Sequence, residues 1–132
     1  MMELVQIFIE PTEKTPLIIL NTNAPKFEFI GVSIPENGNL FYAPIIDWFA
    51  EYAKKPLPHT KVVLNLEYFN ISSSKMILFI FYKLMEIQSA GNSVQIDWFY
   101  ADEDLHEAGT DYEYITKLNF KFKKVSRKKL AD

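Results

Sequence analysis

The sequence contains no cysteine, so disulfides, iron–sulfur clusters, thiolate zinc sites and cysteine nucleophiles are excluded at the outset. Histidine is nearly as scarce: His59 and His106 are the only two, too few for a His-based metal site. The four glycines, Gly31, Gly38, Gly91 and Gly109, never cluster, and no glycine-rich phosphate-binding loop occurs. No apolar run is long enough for a membrane. The longest, Met76 to Ile87, is broken by Lys83, and twelve helical residues rise only about 18 Å. No basic residue precedes an apolar run at the N-terminus, so no secretory signal is read and a soluble, cytoplasmic chain is expected.

What is present is a core. Among 132 residues, 48% are hydrophobic and 15% aromatic, a balance that excludes intrinsic disorder and suits one domain over 1–125. The net charge of −3 conceals an asymmetry: residues 1–116 carry seven basic and sixteen acidic groups, residues 117–132 seven basic and one acidic. Such a basic end reads either as an electrostatic patch or as a charged last strand with a solvated tail over 126–132. The acidic body favours the second reading, because it repels phosphates at long range. No nucleic-acid partner is expected.

Periodicity orders the elements. Val5, Ile7 and Ile9 share one face of a first strand, and Pro11 to Pro16 form a turn. Leu17–Leu20 is a second strand; Lys26–Ile30 alternates as a third and ends at Gly31. A turn at Pro35–Asn39 offers Asn37 or Asn39 as a helix cap. Ile45, Trp48, Phe49 and Tyr52 then make one helical stripe, with Pro44 at its first position or at a kink. Val62–Phe69 is a strand with Leu64, Leu66 and Tyr68 together. Ser72-Ser73-Ser74-Lys75 opens an apolar helix that Gly91 stops. So much apolar surface on one helix implies nearly complete burial or a face kept for a partner. Val94–Tyr100 is a further strand, followed by a helix over Leu105–Lys117 that is weakened at Gly109 and restarts at Thr110. Asn119–Val125 closes the chain, with lysines on its outer face as edge protection. The order β-β-β-α-β-α-β-α-β predicts an α/β layer sandwich, a mixed sheet with an N-terminal antiparallel meander against about three helices.

Few residues suit catalysis. His59 lies in a proline-rich connection, His106 in an acidic helix start, and neither has a nucleophile signature around it. Asp102, Glu103 and Asp104 lack a calcium-loop pattern and are accounted for by the positive end of a helix dipole. No catalytic residue, metal or cofactor is assigned. One constellation remains: a strand ending in Asn70, then three serines opening a helix. A serine there is most simply the N-cap; the same place suits a phosphoacceptor, because free N–H groups and the dipole favour phosphate.

Asn70-Ile71-Ser72-Ser73-Ser74-Lys75 after Leu66-Glu67-Tyr68-Phe69 resembles the signature of the SiaC family of bacterial regulatory phosphoproteins. Four further stretches agree in order: Thr12–Pro16; Pro35-Glu36-Asn37 with Phe41-Tyr42 and Asp47-Trp48; Trp98-Phe99-Tyr100 with the acidic stretch behind it; and Glu107-Ala108-Gly109. The resemblance covers roughly residues 5–125. It implies a fold like the STAS domains of anti-sigma-factor antagonists and a non-enzymatic role in partner switching. A Ser/Thr protein kinase would modify the chain, a PP2C-type phosphatase restore it, and the unmodified form bind a diguanylate cyclase or similar effector. The family's usual acceptor is a threonine directly after the asparagine, and this chain has Ile71 there. The implied acceptor is then Ser72, with Ser73 and Ser74 behind it, and the implied partner surface is Asn70, Ile71, Ser72, Ser73 and Lys75. The alternative is a constitutive interaction module of the same fold; a small hydrolase or nucleotide-binding enzyme stands further back. A monomer or weak dimer is expected.

Overall fold

The structure, a computed structural model, describes residues 4–127. Its elements are β1 (Ile7–Ile9), β2 (Leu17–Asn21), β3 (Lys26–Ser33), α1 (Gly38–Tyr52), β4 (His59–Phe69), α2 (Ile71–Ser89), β5 (Ser93–Tyr100), α3 (Glu103–Thr116) and β6 (Asn119–Lys124). The strands form one six-stranded sheet in chain order. β1 to β3 pair antiparallel through short turns, whereas β3 to β6 pair in parallel, each step crossed by a helix. This is the mixed α/β sandwich that the element order predicts.

Alternation decides where the core lies. Ile18, Leu20, Phe27, Phe29, Val62, Leu64, Leu66, Val94, Ile96 and Trp98 point to one face, and the stripe Ile45, Trp48, Phe49 and Tyr52 of α1 packs into the same cluster. The opposite face carries Glu28, Lys61, Lys121 and Lys123 and is partly open. Burial of each large apolar side chain is worth about 1.5–3 kcal/mol, so the single cluster is the fold's main stabilisation.

Several details depart from the sequence expectations. β3 does not stop at Gly31 but runs through it, at φ 123°, to Ser33. β4 begins at His59 rather than Val62, because His59, Thr60 and Lys61 pair with Ser93, Val94 and Gln95 of β5; Thr60 is buried and bonded to the Tyr52 hydroxyl at 2.7 Å. Its register slips at Glu67, so Tyr68 is turned out of the core that holds Leu64 and Leu66 and is 59% exposed. Val5 precedes β1 and is exposed. Asn37, not Asn39, caps α1, and Pro44 lies inside the helix beyond its first turn. There it removes the bond to the Leu40 carbonyl.

The two later helices also differ. α2 begins at Ile71, with Asn70 as its N-cap in place of a serine, and ends in a Schellman motif. Gly91 N–H bonds Gln88 O at 3.0 Å, Asn92 N–H bonds Ile87 O at 3.3 Å, and Gly91 supplies φ 101°. α3 is continuous and does not restart at Thr110, whose hydroxyl bonds back to Glu107 O. Gly109 is a contact residue: a Cβ there would lie 2.6 Å from Trp98 Nε1 and 2.8 Å from Phe122 Cε1. Asp102 caps α3 through Leu105 N–H, and Glu103 and Asp104 occupy its first turn.

The start of the basic tail is held rather than solvated. Arg127 reaches across the open face to Asn65 Oδ1 at 2.8 Å, and Lys123 pairs with the buried Asp97 at 3.2 Å. Residues 128–132 of the tail lie outside the described residues.

Candidate functional site

The parallel strands β3 and β4 end side by side, Ser33 opposite Phe69, and each leads directly into a helix. The first turns of α1 and α2 therefore abut. Gly38 makes this possible: a Cβ on it would come within 3.0 Å of the Ser72 Cβ. Each helix is capped by an asparagine, Asn37 Oδ1 accepting from Leu40 N–H at 3.0 Å and Asn70 Oδ1 from Ser73 N–H at 2.9 Å. The Asn70 amide also donates to Pro35 O, and its backbone N–H bonds Ser33 O at 3.0 Å. Two helix N-termini thus turn their positive dipole ends toward the same corner.

The three serines differ sharply. Ser73 is fully buried and donates to Ser33 O at 3.0 Å, while its oxygen lies 2.8 Å from Ser33 Oγ. Ser33 Oγ is in turn 2.6 Å from the Tyr42 hydroxyl. With the Ser73 proton committed to the carbonyl, Ser33 donates to Ser73 and Tyr42 donates to Ser33, so each hydroxyl proton has one acceptor. Burial pushes the Tyr42 hydroxyl up to about 12, against small opposing contributions from Ser33 and Ser73. Ser72 is half-buried, its hydroxyl 3.3 Å from Asn70 Oδ1. The Ser74 hydroxyl bonds Ile71 O at 2.7 Å, and Ser74 O accepts from Tyr112, whose own ionisation burial drives well above the usual range. A phosphoryl group on Ser73 requires opening the first turn; Ser72 and Ser74 are reachable from solvent.

The corner exposes two large apolar side chains among the polar Glu36, Asn37 and Asn39. Ile71 is 83% exposed, Leu40 74%, and Lys75 stands one turn beyond Ile71. The structure brings Asn70, Ile71, Ser72, Ser73 and Lys75 onto one helix start. Ser33, Tyr42, Gly38 and Leu40 escape a reading by local motif, since they join the corner only through the parallel pairing of β3 with β4. The one available signal was the polar Ser33 at a position that follows the apolar run Phe29-Ile30-Gly31-Val32.

Other candidates are structural. His59 Nδ1 lies 2.8 Å from Ser93 Oγ, and His106 packs between Tyr100 and Phe122. Among the described residues no group of His, Asp and Glu is placed to hold a metal, and no helix is long and apolar enough to cross a membrane.

Comparison with known proteins agrees with the geometry. An uncharacterized protein of Pseudomonas aeruginosa strain UCBPP-PA14 is 28% identical over 116 residues, 88% of this chain and 92% of that protein. The crystal structure of apo-SiaC from Pseudomonas aeruginosa superposes with a TM-score of 0.83 at 25% identity, over 90% of this chain and 98% of that one. The structure of the diguanylate cyclase SiaD in complex with its activator SiaC gives a TM-score of 0.84 at 26% identity, over 90% and 99%. The profile of the SiaC family of regulatory phosphoproteins matches residues 9–125, and the chain belongs to that family.

Proposed function

We propose that this chain is a non-enzymatic cytoplasmic regulator that binds and activates a diguanylate cyclase through the corner formed by the first turns of α1 and α2. One observation carries the reading: the outermost side chain of that corner, Ile71, is apolar and 83% exposed. An isoleucine so exposed gains from burial against a partner, and it has no hydroxyl to modify. The contact is therefore constitutive at position 71. The relative SiaC is described as the activator of SiaD, which supplies the class of partner.

Phosphorylation by a Ser/Thr kinase and reversal by a PP2C-type phosphatase remain a second reading, favoured by the half-exposed Ser72 beside two helix N-termini. A phosphate there adds about −1.5 to −2 charges next to an apolar contact and would release the partner. Calorimetry with a candidate diguanylate cyclase, together with the mass of the protein purified from its own host, tests both. Ile71→Asp should abolish binding, and protein purified from its own host should carry no phosphate on Ser72 or Ser74. Tight binding by Ile71→Asp sinks the corner as the interface; a host phosphopeptide containing Ser72 selects the switch.

A further inference from the structure

The outward stripe of α2 consists of Ile71, Lys75, Phe79, Tyr82 and Glu86, at spacings of four, four, three and four. All five are exposed, with Phe79 and Tyr82 each at 41%. An outward helix face ordinarily carries polar residues; here two aromatics occupy its centre, tilted against each other at 6.1 Å. Lys75 has no ion pair among the described residues, and Glu86, 61% exposed, touches only Lys83 at 3.3 Å.

We propose that this stripe is a self-association surface, on which a second copy of the chain lays its own α2 antiparallel. The order cation, aromatic, aromatic, anion is self-complementary under a two-fold axis level with the Ile80–Phe81 peptide. That axis sets Phe79 on Tyr82 of the copy and Lys75 on Glu86 of the copy, each pair occurring twice, as an isologous interface requires. Parallel pairing in register would instead put Lys75 on Lys75 and Glu86 on Glu86, like charges opposite each other. The surface is small, below the roughly 800 Å² per partner of a standard interface. Asp104, Glu107 and Asp111, exposed on α3, are further negative charges that each copy brings to the encounter. The association is therefore weak and concentration-dependent. It spans Lys75 to Glu86 of α2 and shares Lys75 with the partner corner, but its test reads self-association of the chain alone and does not depend on the cyclase reading.

Sedimentation equilibrium of the full chain, from about 10 μM to about 1 mM, covers the affinities open to so small a contact. The natural chain should show a monomer–dimer equilibrium. Phe79→Ser should weaken it about tenfold or more, as removal of a central aromatic does. Lys75→Glu and Glu86→Lys should each weaken it similarly by placing like charges opposite each other. The diagnostic result is rescue: an equimolar mixture of Lys75→Glu and Glu86→Lys restores both cross-pairs, and should dimerise at least about tenfold more tightly than either variant alone. All three side chains are exposed, so folding is preserved. A chain that stays monomeric at the highest concentration overturns the proposal. So does a dimer that ignores these substitutions, or single variants that fail to rescue each other.

Discussion

The hydroxyl of Ser73 lies 2.8 Å from that of Ser33, forty residues earlier, with both side chains fully buried. This contact, with the bond from Ser73 to the Ser33 carbonyl, ties the first turn of α2 to the end of β3. The middle serine of the three is thus the one that holds the corner in place.

Ser73→Ala should cost about 1–3 kcal/mol, because Ser33 is left with a buried donor and no acceptor. Asn70→Ala should cost about 0.5–2 kcal/mol by loss of the cap. Ser72→Ala should stay within about 0.5 kcal/mol, as for other surface changes. Urea unfolding of the three variants measures the order; a Ser72→Ala loss equal to that of Ser73→Ala would contradict the assignment of roles.

Restoring the hydroxyl at position 71 should make the chain a better kinase substrate. Ile71→Thr places it at the most exposed point of the helix start, over free N–H groups that favour phosphate. Phosphate incorporation by the proposed Ser/Thr kinase should rise well above that of the natural chain. Equal incorporation by both would mean that the kinase reads another residue.

Gly109→Ala should destabilise the chain by about 1–3 kcal/mol through overpacking. The added methyl meets the Trp98 indole, which cannot retreat while Nε1 donates to Leu105 O at 2.9 Å. A denaturation midpoint unchanged from the natural chain would show that α3 can slide on β5.

Alkaline pH should unfold the chain in part through Tyr42. Its folded value of about 12 lies above the ordinary 10, so the neutral form is favoured in the fold. The contribution is complete below pH 10 and is lost as pH rises toward 12, because the unfolded chain then releases its proton first. Two units correspond to about 2–3 kcal/mol at most. Tyr42→Phe should flatten the stability profile between those limits; an unaltered slope would remove Tyr42 from the account.

The fold was legible because its strands alternate and its helices keep a three-to-four spacing. The stripe Ile45, Trp48, Phe49 and Tyr52, the stop at Gly91 and the lysines of β6 all follow local rules. What escaped was local evidence overridden by tertiary contact. Tyr68 continues the alternation of Leu64 and Leu66 in sequence, but the bulge at Glu67 turns it out. Gly109 reads as a weak point in a helix until Trp98 is seen against it. Three adjacent serines obscured the better cap, Asn70, whose side chain meets the N–H three residues on. The Ser33–Ser73 bond has no local signature, since parallel pairing alone brings β3 and β4 together.

The two indoles stand at different places along the sheet. Trp48 donates to the carbonyl of Val5 at 2.6 Å, ahead of the edge strand β1, whereas Trp98 lies on β5 under α3. Their fluorescence therefore reports separate events. Fraying of β1 frees the Trp48 indole and leaves Trp98 shielded, while undocking of α3 does the reverse. Chains keeping a single tryptophan, with phenylalanine at the other position, would resolve in time which side of the sheet opens first.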